Sequence, residues 1–128
     1  MSDDGFGSAV MLALLALAGL LCMAVADAAN VLVTRSRAQT AADAAALAAA
    51  TAQWPFTGQR DPEDAARQGA EDNGASLESC ECPERGEKAV VVVSIETRIR
   101  MLGVAPPVVY ARAEASFEPG GMFEAPDG

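Results

Sequence analysis

Residues 5–26, GFGSAVMLALLALAGLLCMAVA, run for 22 positions without a charged side chain. As a helix rising 1.5 Å per residue, such a run is about 33 Å long, enough to cross the ~30 Å hydrocarbon core of a bilayer. The helical pattern does not stop there. Residues 27–53 contain neither proline nor glycine, and residues 39–52 (QTAADAAALAAATA) carry nine alanines, the strongest helix former. The sequence therefore predicts one helix from about Ser8 to Gln53, on the order of 70 Å long. Trp54-Pro55 ends it, because proline drives the residue before it out of the α region. A membrane uses only half of that length, so the second half must stand in water or pack against something.

Composition narrows the choice of core. Of 128 residues 51% are hydrophobic but only 5% aromatic, and 28 are alanine, so apolar surface is buried in close seams of small side chains or in lipid. The net charge of −9 would be repelled by a phosphate backbone, which argues against nucleic-acid binding. The chain has no histidine, the commonest general base and metal ligand, and no nucleophile–base pair or phosphate loop is visible. The expectation is a protein without enzymatic activity, cofactor or metal.

Three readings of the apolar run compete. A lipoprotein signal fails because the residue before Cys22 is Leu21 rather than a small one. A secretory signal has support, since Ala24-Val25-Ala26 offers a small-x-small cleavage site before Asp27 and would release a small acidic binding domain. The flank Met-Ser-Asp-Asp has no basic residue, however, and the run exceeds the 7 to 15 residues of an ordinary signal core. A retained membrane helix is favoured. Within it Ala18, Cys22 and Ala26 recur every four residues, a small-xxx-small stripe suited to helix–helix packing.

Beyond the long helix, Asp61 as N-cap and Pro62 at the first position open a short second helix that Asn73-Gly74 closes. The period then changes to two. Val91, Val93, Ile95, Thr97 and Ile99 face one way and Ser94, Glu96, Arg98 and Arg100 the other. A second run sets Val109, Ala111, Ala113, Ala115 and Phe117 inside against Tyr110, Arg112, Glu114 and Ser116 outside. With a short strand over residues 75–82, the prediction is an α+β fold: a three-stranded antiparallel meander covered by the end of the long helix, to which Leu47 and Trp54 lend bulk. The expected divisions are a transmembrane segment (1–33), a helix extension and linker (34–60), a small exported α+β domain (61–117) and a disordered acidic Gly/Pro tail (118–128).

The Gly-Ser opening, the Asp at the far end of the apolar run, and the block Gln39-Thr40-Ala41-Ala42-Asp43-Ala44-Ala45-Ala46-Leu47-Ala48-Ala49-Ala50 resemble the N-terminal region of TadE/TadG-like pilus-assembly proteins, closest over residues 5–52. The later order of elements resembles small TadE-like secretion proteins of actinobacteria. The resemblance implies a membrane-anchored minor pilin or pseudopilin in the lipid bilayer. Its implied partners are other pilin-like subunits and a polytopic platform protein, with a secretion ATPase acting indirectly. Pilin-like proteins generally carry a Glu five residues after the Gly at which a prepilin peptidase cuts. Here Val10 follows Gly5 and Leu12 follows Gly7 at that spacing. Gly5 and Gly7 are thus processing candidates without the usual carboxylate, as Ala26 is for signal peptidase, and a tip or initiating position in a filament is the easier one to explain.

Asp27 reads either as an interfacial acid in headgroup water or as a contact to Arg35 or Arg37 of a neighbouring subunit. Asp43, within the alanine block, lies four residues from Gln39, close enough for a same-face hydrogen bond. Cys80 and Cys82 are open to three readings: a structural or intermolecular disulfide, free thiols, or a catalytic pair. Arg35 and Arg37 beside the apolar run would place the domain inside by the positive-inside rule. The cysteines and the resemblance place it outside, which is preferred.

Overall fold

A computed structural model of the chain describes residues 3–53, 60–83, 88–98, 101–103 and 105–116. Helix α1 (Asp3–Ala52) leads into α2 (Pro62–Asp72), then strands β1 (Ser76–Glu81), β2 (Lys88–Glu96) and β3 (Val108–Ser116). The sheet is antiparallel in the order β1-β2-β3. This is the α+β architecture expected from the sequence. Trp54, Ile99, Arg100, Phe117 and the tail over 118–128 lie outside the described residues.

Helix α1 is one element of 50 residues. It begins five residues earlier than expected and takes Gly5 and Gly7 into its first turns. Asp3 and Asp4 in that first turn oppose the positive end of the helix dipole, which offsets part of the roughly 1 kcal/mol that each helical glycine costs. Residues 3–25 are exposed along their whole length, whereas Ala38, Ala41, Ala42, Ala45, Ala46, Ala49 and Ala50 are buried. That spacing of three, four and seven marks one face. Leu47 lies about 180° around the helix from Ala38 at 100° per residue. It is accordingly 60% exposed, and the bulky contact expected of it is not made.

The cap of α2 follows its sequence closely. The carboxylate of Asp61 accepts the Glu63 N–H at 3.4 Å and its carbonyl the Ala65 N–H at 3.0 Å, with Pro62 opening the helix where no donor is needed. At the other end the N–H of Gly74 bonds the Glu71 carbonyl and that of Ala75 the Ala70 carbonyl, both at 2.9 Å. This pair of bonds is a Schellman closure, and it requires the φ of +74° that Gly74 supplies.

The core is a seam of small side chains between α1, α2 and the inner sheet face. Val91 and Val93 are its largest fully buried side chains. Register sets Val93 between Leu77 and Ala111, and Val91 between Cys80 and Ala113. The inner faces fall as period two predicts. Ser94, on the outer face, is nonetheless only 8% exposed. A bulge between Leu77 and Ser79 leaves Glu78 as the extra residue, and the Ser94 hydroxyl donates to its carboxylate.

Candidate functional site

The β2–β3 connection reaches back along α1 to the boundary of its charge-free run. There the Asp27 carboxylate accepts the Met101 N–H on Oδ1 at 2.9 Å and the Leu102 N–H on Oδ2 at 2.8 Å. Asp27 is 4% exposed, so its charge is held by two short, charge-assisted bonds rather than by solvent. The loop closes at its base where the Thr97 N–H meets the Pro107 carbonyl at 2.9 Å, and Gly103 turns with φ +69°. Ala24, Asp27, Ala28 and Val31 face Leu102, Ala105 and Pro106 across a small, mainly apolar cavity of about 300 Å³. The sequence reading set Asp27 in headgroup water or against an arginine of another subunit. The structure buries the side chain against its own chain, where the first reading had headgroup water.

Other candidate residues are spread along the molecule. Asp43 accepts from Gln39 Nε2 at 3.0 Å, the same-face bond expected, but it is exposed at the edge of the alanine face rather than buried within it. Gln39 also reaches the Arg112 carbonyl at 3.4 Å, tying α1 to β3. Arg35 and Arg37 are exposed and form no ion pair among the described residues. Arg37 lines a cleft with Thr97 and Arg98. Ala18 and Cys22 are exposed and Ala26 is half-buried.

Cys80 and Cys82 form a disulfide with Cα atoms 5.3 Å apart. The strand ends at Glu81, so Cys82 already leaves the extended path on which two such cysteines would be harder to join. Gln53 Nε2 donates to the Pro83 carbonyl at 2.6 Å just beyond it, fastening the end of α1 to this corner.

On the outer sheet face, Lys88 Nζ lies 2.7 Å and Arg112 3.3 Å from the Glu114 carboxylate. The hydrogen bond and charge of Lys88, helped by Arg112 against partial desolvation, hold Glu114 below the usual glutamate range. Its carboxyl is expected to titrate by NMR below an ordinary glutamate and to return toward the ordinary range in Lys88→Ala. A lowered folded-state pKa gives stability that is present above the unfolded pKa and lost as pH falls through the folded one. This acid-side term is small, because the pair is exposed.

Fold and site together define a helix long and apolar enough to cross a membrane, carrying a small α+β head on its second half. Residues 5–52 match the Tad family model, "Putative Flp pilus-assembly TadE/G-like". Over that stretch, well under half of its length, the chain is similar to TadE/G-like pilus-assembly proteins. No curated protein and no solved structure matches the chain.

Proposed function

We propose that the protein is a membrane-anchored minor pilin or pseudopilin-like component of a Tad/Flp-type pilus-assembly or secretion system, without enzymatic activity, its α+β head on the extracytoplasmic side. The observation that carries this reading is the division of α1. Its first 23 described residues, 3–25, are exposed and almost wholly apolar, and its second half is the buried scaffold of the head. An apolar helix surface of that length, uncovered by its own chain, is suited to lipid and to other helices. The Ala18, Cys22, Ala26 stripe is the face on which a second pilin-like subunit or a polytopic platform protein would pack closely.

Release after Ala26 is the competing reading. The bond it requires lies inside an unbroken helix, beside the carboxylate that holds the loop. In a Cys22→Ala background, intact cells are treated with reductant and then with a membrane-impermeant thiol reagent. Cys80 and Cys82 are expected to be modified without lysis, on a chain that sediments with membranes at its full mass. Modification only after lysis would reverse the orientation. A product beginning at Asp27 in the medium would end the anchored reading.

A further inference from the structure

We propose that residues 101–103 with Ala105 and Pro106 form a second membrane contact, an apolar loop seated in the bilayer interface beside the point where α1 leaves the hydrocarbon. The inference rests on the reading of α1 as a membrane anchor. Its level along the helix comes first. Asp27 is the residue immediately after the charge-free run, and the bonds from Met101 and Leu102 fix the loop at that height. Leu102, Ala105 and Pro106 share a cavity with Ala24, which lies within the run.

Chemistry points the same way. Residues 101–107, MLGVAPP, include no charge. Met101 is 57% and Leu102 43% exposed, and Leu21, Met23 and Val25 of α1 are also exposed, so the loop extends the apolar surface of the helix sideways at its boundary. Irregular backbone can enter a poorly hydrated layer only if its polar groups are satisfied. Here the N–H groups of 101 and 102 go to Asp27, positions 106 and 107 are prolines with no N–H, and the Pro107 carbonyl accepts from Thr97. The charged pairs of the outer sheet face stand away from the loop, while Glu96 and Arg98 are exposed at the end of β2 nearer to it. The Lys88–Glu114 pair lies toward the end where Lys88 faces Ser116, roughly 26 Å along β2 from the loop end at about 3.3 Å per residue.

The test uses the full chain in phosphatidylcholine/phosphatidylglycerol vesicles, with Cys22→Ala and the Cys80–Cys82 disulfide kept oxidised. A nitroxide is attached singly through Met101→Cys, Leu102→Cys, Leu15→Cys or Ser116→Cys, and its collisions with oxygen and with a water-soluble nickel chelate are compared. Reporters at 15, 101 and 102 are expected to favour oxygen severalfold over the reporter at 116, which meets nickel freely. Loop reporters that behave like 116 while 15 stays in lipid would overturn the inference and leave the anchor standing. Loop reporters shielded from both reagents would overturn it in favour of protein cover, such as a second copy. A nickel-accessible reporter at 15 would remove the anchor, and the loop contact with it.

Discussion

A chain carrying Val93→Asp is expected to keep α1 in the membrane fraction and to lose its folded head. Val93 is fully buried in the central strand, between Leu77 and Ala111 and against the alanine face of α1. A carboxylate there has neither water nor a partner, and an unpaired buried charge costs on the order of 5 kcal/mol, comparable to the whole stability of a small domain. Glu96→Lys, at the exposed end of the same strand, is expected to stay within about 0.5 kcal/mol of the parent. Limited proteolysis of the two variants in membranes reads the difference. Equal resistance, or a more sensitive Glu96 variant, would mean that the sheet presents its other face to α1.

Gly69→Leu is expected to pry α2 from α1, at a cost of about 3 kcal/mol. A Cβ at Gly69 would sit 3.1 Å from the Ala44 carbonyl oxygen and 3.1 Å from Ala45 Cα. These are backbone atoms of a regular helix, and they cannot swing aside as a side chain would. Ala45→Leu attacks the same seam from the other helix at about 1 to 3 kcal/mol, since Ala45 is fully buried. Gly69→Ala is milder, because the gain in helix propensity of about 1 kcal/mol offsets part of the crowding. Amide hydrogen exchange of α2 in the detergent-solubilised full chain measures all three. Unchanged protection in both leucine variants would mean that the two helices are not in close contact.

What could be read from the sequence was what local chemistry writes there. Asp61-Pro62 and Asn73-Gly74 bracket α2 because caps and left-handed turns are decided within a few residues. Val91 and Val93, like Ala111 and Ala113, announce their face by period two, and the order of elements follows from the switch of period. The intrachain partners of Asp27 have no direct sequence signal, because they are two backbone N–H groups 74 and 75 residues away and a main-chain donor has no letter of its own. The only hint is paired: an acid at the edge of an apolar run, and a distant uncharged stretch at 101–107. Gly69 and Leu47 depend on the angle at which α2 and the sheet clasp α1, which is a property of three elements together. The bulge at Glu78 escapes for a similar reason, since two residues opposing one is visible only once both strands are in place.

Helix α1 also acts as a ruler and a shaft. The same unbroken helix holds the loop through Asp27 and the head through its buried face of Ala41, Ala42 and Ala45, with no glycine or proline between them to absorb a twist. One residue inserted in that interval would advance the head by about 1.5 Å and rotate it by about 100° about the helix axis relative to the apolar segment. Asp27 and the 101–102 amides would then point apart. Conversely, any turning of the apolar segment against its neighbours is transmitted to the head as a whole, so the azimuth of the sheet reports which face of α1 is engaged below it.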